Sequence, residues 1–313
     1  MKRRTAKAAR DGESMRIGKI KVPISNREKI FWPGEGFTKG DLLDYYADMA
    51  DVILPYLKDR PQSLHRFPNG IRQKGFYQKH VPPEQIPGWA KTARIYSESN
   101  DEYISSLICN NAATLIYMIN LGCIEINPWN STYKKEDKPN WMVIDLDPLD
   151  IAFREVVKTA LTVKEVLEES GVECYCKTSG ATGLHIFIPL AGKMKYEVVR
   201  KMAEFIANSV NRRIPDITSV KRNPSKRKKK VYLDFLQNSR GQTLAAPYSV
   251  RPRAGATVST PLKWEEVNHR LNPKNFTMKN SRKRFDKFGD LWKPVLGKGI
   301  NAATILKKMK EEE

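Results

Sequence analysis

The stretch WMVIDLDPLD, residues 141–150, decides how this chain is read, because two carboxylates interrupt what is otherwise an apolar strand. Residues two apart on an extended strand share a face at a spacing of about 6.5–7 Å, so Asp145 and Asp147 can converge on one site while Val143 and its apolar neighbours pack. A β-branched residue at either position would stabilise the strand more, and a buried carboxylate is costly without a cation or hydrogen bonds. Taken alone, the pair is equally compatible with a strand end at which Asp147 caps a turn before Pro148.

Working outward, the pattern after residue 150 alternates between helix and strand. The segment IAFREVVKTALTVKEVLEES carries apolar residues at 153, 156, 160, 163 and 167, a helical stripe. LHIFIPL at 184–190 reads as a strand, YEVVRKMAEFIANSVNRR as a second helix, and VYLDFL at 231–236 as a further strand. In VYLDFL a third acid, Asp234, shares a face with Tyr232 and Leu236, opposite Val231, Leu233 and Phe235. The expected architecture is a mixed sheet packed by helices, of α/β or α+β class. Upstream, TKGD predicts a helix start with Thr38 as cap and Asp41 in the first turn; the helix continues through LLDYYADMADVILPYL until Pro55 kinks or ends it. YISSLICNNAATLIYMINLG, 103–122, reads as a second, buried helix ending at Gly122.

Composition restricts the chemistry. Fifty-five Lys and Arg against 35 Asp and Glu leave a net charge of +20 in 313 residues, with 40% hydrophobic content. That balance suits a folded protein with a polyanionic partner, nucleic acid above all, and disfavours a glycosidase despite the paired acids. Cys109, Cys123, Cys174 and Cys176 include no C-x-x-C pair and read as reduced core residues. The basic start MKRRTAKAAR lacks a following apolar segment, and no apolar run is long enough to span a membrane; a cytoplasmic protein is expected. Residues 1–15 read as a flexible basic tail, 16–300 as a single domain and 301–313 as a charged C-terminal tail. KRNPSKRKKK, 221–230, holds seven basic residues in ten and reads as either a solvated or a DNA-contacting loop.

Two-metal phosphoryl transfer needs such a carboxylate cluster, and hard oxygen ligands favour Mg²⁺ or Mn²⁺ over zinc. Between the acid-bearing strands, KTSGATGLHIFIPL (177–190) places a tight turn of small residues before a strand carrying His185. Such a turn can offer N–H groups and hydroxyls to an anion, and His185 a further donor. In APYSVRPRAG, Arg251 and Arg253 stand two apart and can point together at phosphate.

The order DLDP, SGATGLH, VYLDFLQN and APYSVRPRAG, with KIFWP and TKGD near the start, RPQSLHRFPNG at 60–70 and KGFYQKH at 74–80, resembles the primase-polymerase domain of bacterial and archaeal DNA ligase D. The resemblance spans nearly the whole chain. It implies an α+β, archaeo-eukaryotic primase-like catalytic core. It further implies an end-joining polymerase that extends a primer 3'-hydroxyl with NTPs or dNTPs and fills short gaps at DNA breaks. Ku and a DNA ligase are the implied partners, and the nucleoid of a bacterium or archaeon the implied location. By the same resemblance Asp145, Asp147 and Asp234 hold two Mn²⁺ or Mg²⁺ ions. Ser179, Gly183, His185, Arg251, His65 and Phe76 bind the nucleotide. Phe76 and Tyr77 stack on bases, Arg253 contacts DNA, and Lys29 and Lys39 bind a 5'-phosphate across the gap. Asn127 stands where many members have a histidine near the metal site, Thr182 where a lysine is frequent, and His65 where some members have lysine. Two rival readings remain, a metal-dependent nuclease and a non-catalytic module that binds DNA ends.

Overall fold

The computed structural model describes residues 13–98 and 100–312. Its organising element is a six-stranded sheet in the order Thr218–Ser219, Lys230–Asp234, Trp141–Leu149, Leu184–Pro189, Tyr175–Thr178, Pro261–Leu262. All neighbours pair antiparallel except the first two, which are parallel.

Alternation along the central strand sorts its side chains into two layers. Met142, Ile144 and Leu146 join a core with Ile186 and Leu233 of the neighbouring strands and with Val163 and Ile206 of the helices Phe153–Glu168 and Tyr196–Arg213. Trp141 and Val143 point the other way, into a core shared with Phe187, Leu42, Tyr46 and Ile126. Asp145 and Asp147 therefore lie on the second face, beyond the point where apolar packing stops. The opening sequence is a strand that leaves a packed layer and enters a cleft.

The opposite wall is a three-stranded antiparallel sheet, Phe76–Gln78, Gln62–Arg66 and Cys123–Pro128 in spatial order. It is backed by the helices Lys39–Asp48, Ala50–Leu57 and Ala112–Asn120. Thr38 caps the first of these as its residue type predicts, with Asp41 N donating to Thr38 Oγ1 and Thr38 N to Asp41 Oδ2. The expected break moves, however: the helix interrupts at Met49, and Pro55 lies inside the second segment. At the interruption the Asp48 carbonyl accepts from the Arg282 guanidinium, which satisfies a group that the helix has released.

Two further expectations are corrected. Residues 103–108 are not helical; Glu102–Ile108 is a strand paired with Lys91–Ser97 along its length. The helix begins at Ala112, where the Asn111 side chain accepts from Thr114 N. The partner hairpin strand supplies the hydrogen bonds that make the extended form win, and that partner is not visible in the local apolar pattern. At the ends, residues 1–12 lie outside the described residues, and Ser14–Ile17 is already a strand paired with Ile20–Pro23. The C-terminal segment contains the helix Ala303–Glu312, with Ile305 buried in the helix-side core, so a charged tail is the wrong description of it. The four cysteines are free and buried.

Candidate active site

Strand register brings together residues that sequence order separates. Asp145 stands directly opposite Asp234 on one neighbour and opposite His185 on the other. Asp147, two residues on, stands opposite Tyr232. Alternation predicts the shared face of Asp145 and Asp147, and the pairing of the two strands adds Asp234 to it. They border a cleft of about 300 Å³ whose lining includes Asp145, Asp147, Ser179, His185, Arg251 and, from the opposing sheet, Asn127 and Tyr77. Asp234 sits at its margin, accepting from Leu236 N and from Nε2 of the cleft residue Gln237.

Electrostatics at this face call for positive charge. Burial, with Asp234 and Asp147 close by, pushes the Asp145 carboxyl up to about 8. Burial also raises Asp147, although Arg227 opposes the shift, its Nη2 lying 3.9 Å from Asp147 Oδ2. Among the described residues no group of three or more His, Cys, Asp or Glu side chains is arranged around a single ion position. The donor set still fits a divalent cation in its chemistry: carboxylate oxygens are the ligands of Mg²⁺ or Mn²⁺, and a cation beside Asp145 would offset the repulsion that raises it.

Beside the acids lies the small-residue turn. Ser179 Oγ accepts from the N–H groups of Ala181 and Gly183, so the turn closes on its own serine. Those two N–H groups are occupied internally, and the expectation that the turn offers its N–H groups to an anion is narrowed accordingly. Gly183 is required for a different reason: a Cβ there would lie 2.1 Å from the Leu146 carbonyl oxygen. Only glycine lets the turn approach the aspartate strand this closely. Gly180 has φ +70, and a Cβ would meet Arg251 Cγ at 2.6 Å. Arg251 packs across the turn, its Nη1 donating to the Ser179 carbonyl and its Nε to Glu125 Oε2 at 2.9 Å. A planar guanidinium is thereby pinned between the two sheets at the cleft, with His185 Nε2 3.5 Å from Asp145 Oδ1 on the other side.

Residues 38–292 match the family model described as LigD, primase-polymerase domain. The chain belongs to this family. It is 30% identical over 297 residues to the multifunctional non-homologous end joining protein LigD of Pseudomonas aeruginosa, covering 94% of this chain and 35% of that protein. With the bifunctional non-homologous end joining protein LigD of Bacillus subtilis it shares 32% identity over 271 residues, 86% of this chain and 43% of the relative. The chain therefore spans less than half of the length of these curated relatives. Its structure is similar to the polymerase domain of Mycobacterium tuberculosis ligase D, solved in complex with DNA. The TM-score is 0.82 at 26% identity, over 89% of this chain and 99% of that one. The α+β fold of the LigD polymerase domain is thus shared throughout.

Of the other residues singled out from the sequence, Tyr77 and Asn127 line the cleft, whereas Phe76 and His65 do not. On the opposing sheet Tyr77, His65 and Glu125 form a cross-strand row. The His65 ring stacks on Tyr77 at 4.1 Å between centroids, and its Nδ1 lies 3.3 Å from Glu125 Oε2. Phe76 and Tyr77 are 47% and 57% exposed and, as successive residues of one strand, point to opposite faces: Tyr77 lines the cleft, and Phe76 lies beside the Arg66 guanidinium, 5.3 Å from its ring centroid. Asn127 is buried, its Nδ2 donating to the Glu125 carbonyl. Thr182 and Arg253 both line the cleft and are solvent-exposed.

The two lysines differ from the expected matched pair. Lys29 Nζ donates to Asn69 Oδ1 near the surface. Lys39 is buried, its Nζ donating to Ser25 O and Asn120 Oδ1, and desolvation lowers it to about 8. The start of the helix is also committed: Lys39 N donates to Lys29 O, Gly40 N to Arg27 O and Asp41 N to Thr38 Oγ1. An anion at this corner would meet Lys29, with Lys39 as a buried charge behind it.

Four residues of the site escape a reading of motifs. Glu125 is a buried acid in the apolar run CIEINP, and it could have been noticed by the rule that singled out Asp145. Lys177 is a fully buried lysine in YCKT, signalled in the same way. Gln237 carries no local signal. Arg227 belongs to the basic 221–230 run, and nothing in that run distinguishes it from its neighbours. The structure lays its guanidinium over the Tyr232 ring at 3.9 Å, beside Asp147, so the run has at least one residue at the site.

Proposed function

We propose that this chain is a template-directed nucleotidyltransferase that extends a primer 3'-hydroxyl with NTPs and dNTPs and fills short gaps during end joining of broken DNA. The observation that carries this reading is the cross-strand pair Asp145 and Asp234, with Asp147 on the same face, set against a turn and an arginine suited to a triphosphate. Asp145, Asp147 and Asp234 would hold Mg²⁺ or Mn²⁺, which when bound lowers the pKa of the attacking hydroxyl and stabilises charge on the transferred phosphate. Arg251 and His185 orient the triphosphate from the two sides of the turn, while Phe76 and Tyr77 grip bases through their exposed faces. The net charge of +20 supplies attraction to the DNA backbone that is independent of sequence. Ku, a DNA ligase and a nucleoid location are part of this reading. It is supported by the end-joining names of the relatives and by the DNA complex of the similar structure. Among the described residues no helix is long and apolar enough to cross a membrane.

The test is primer extension on a gapped duplex with Mg²⁺ or Mn²⁺ and each nucleotide. Stepwise lengthening that follows the template base is expected, with ribonucleotides inserted at least as well as deoxynucleotides in direct competition. Shortening of the labelled primer would establish a nuclease instead, and an unchanged primer in both metals a binding module.

Recognition of the far side of the gap gives a second expectation. A duplex whose recessed 5' end carries a phosphate should bind more tightly than its 5'-hydroxyl counterpart by about 1–3 kcal/mol, the range for charge-assisted contacts. Lys29→Ala should remove most of this preference, because Lys29 is the nearer charge, while leaving binding to the hydroxyl form almost unchanged. Fluorescence anisotropy at one fixed salt concentration decides it; equal affinity of the unmutated protein for both ends rules out the pocket.

A further inference from the structure

Four side chains occupy one straight row across four adjacent strands. Lys177 is opposite His185, His185 opposite Asp145, and Asp145 opposite Asp234. The outer member of this row, Lys177, is fully buried, and a buried lysine is rare unless its hydrogens are all accounted for. Its Nζ has three partners: Ser259 Oγ at 2.6 Å, His185 Nδ1 at 2.8 Å and Ala245 O at 2.9 Å. The Ala245 carbonyl can only accept. Ser259 donates its own hydrogen to the Thr178 carbonyl at 2.8 Å, so towards Lys177 its oxygen accepts as well. Two ammonium hydrogens are thus assigned, and the third points at His185 Nδ1.

Burial pulls Lys177 well below its ordinary pKa while the nearby Asp145 and Glu125 carboxylates oppose the shift; in the ammonium form it has no lone pair, so Nδ1 must supply one. A neutral imidazole that accepts at Nδ1 carries its hydrogen on Nε2, and Nε2 is the nitrogen 3.5 Å from Asp145 Oδ1, with His185 in the cleft lining. We propose that Lys177 is a positioning residue: through Nδ1 it fixes His185 in the Nε2–H tautomer, so that the histidine presents the catalytic cleft with a hydrogen-bond donor and not a lone pair. The chemical result is selectivity. A donor at this position favours an anionic phosphate oxygen, whereas a bare Nε2 lone pair next to Asp145 would compete for a divalent cation. The same hydrogen meets Asp145 until an anion draws it away.

This consequence for nucleotide binding rests on the polymerase reading; the tautomer does not, and the experiment separates them. The protein has four histidines, so labelling with ¹⁵N-histidine gives a long-range ¹H–¹⁵N spectrum of four rings, with His185 identified by its loss in His185→Gln. In the unmutated protein His185 should show a protonated Nε2 and an unprotonated, hydrogen-bonded Nδ1. In Lys177→Met the Nδ1 acceptor signature should disappear. The KM for the nucleotide should rise about tenfold or more, as for loss of a hydrogen bond to a charged group, while the Kd for gapped DNA stays the same. A hydrogen on Nδ1 of His185 in the unmutated protein overturns the proposal, as does a Lys177→Met spectrum identical to the original. Should Lys177→Met fail to fold, the unmutated spectrum alone decides the tautomer. The expected spectra in a protein that extends no primer would uphold the lock and count against the polymerase function.

Discussion

Replacing Asp145 by Asn is expected to abolish primer extension and, in the presence of a chelator, to make the protein more stable. The activity loss follows from removing a carboxylate that would hold the cation, and about a thousandfold or more in rate corresponds to roughly 4 kcal/mol of transition-state stabilisation. The stability gain follows from crowding. Asp145 lies between Asp234 and His185 with its carboxyl raised to about 8, against an ordinary value of 3.8. Between about pH 4 and pH 8 the folded state therefore holds a proton that the unfolded chain releases, and stability falls as pH rises through that window. Asn imitates the protonated carboxyl. Its advantage over the unmutated protein should be small at pH 4–5, grow with pH, and reach on the order of 2–5 kcal/mol above pH 8. Adding Mn²⁺ should raise the Tm of the unmutated protein more than that of the variant, while both bind gapped DNA with similar Kd. Denaturation across this pH range in EDTA and in Mn²⁺ reads all of these. A variant destabilised at pH 8 in EDTA, or one that still extends primers at saturating metal, would remove the assignment.

Arg251→Lys is expected to raise the KM for every nucleotide by about 10- to 100-fold, although it preserves charge. The guanidinium uses Nε on Glu125 and Nη1 on the Ser179 carbonyl, joining the opposing sheet to the small-residue turn, and an ammonium cannot span both acceptors in that fork. DNA affinity should change little, since many basic residues contribute to it. Truncation has a second cost. Glu125 is buried, and Arg251 offsets the desolvation that would otherwise raise its carboxyl; with Arg251→Met the acid loses that guanidinium and keeps the His65 ring nitrogen at 3.3 Å. That variant should lose about 3–5 kcal/mol of stability, the range for one half of a buried pair left alone. Glu125→Gln added to Arg251→Met should recover much of this stability without restoring the nucleotide KM. Steady-state kinetics with denaturation of the single and double variants test both parts; a KM unmoved in Arg251→Lys would place the triphosphate elsewhere.

Much of this site is legible in the chain because its chemistry violates local packing rules. Asp145, Asp147 and Asp234 stand out as acids in apolar strands, and strand periodicity puts Asp145 and Asp147 on one face without any knowledge of partners; Asp234 joins them only through the pairing of the two strands. The small-residue turn and Thr38 as a helix cap are local features too, set by residues within four positions of each other. Gly183 could be noticed, but not explained: its necessity comes from the Leu146 carbonyl, far away in sequence.

Alternation and helical stripes are properties of a single segment, so the chain alone specified the three strands that carry Asp145, Asp147, His185 and Asp234, the two helices between them, and the side of its own strand on which each acid lies. Tertiary structure decided everything that depends on a second segment. It made 102–108 a strand through pairing with 91–97, and it folded residues 303–312 onto the core through Ile305. It buried Lys39 under Ser25 and Asn120, brought Arg227 to Asp147, and set Glu125 against Arg251. Above all, it aligned Lys177, His185, Asp145 and Asp234 in one row. A cross-strand row depends on register, and register is settled by the burial of whole strand faces, which no short stretch of sequence specifies alone.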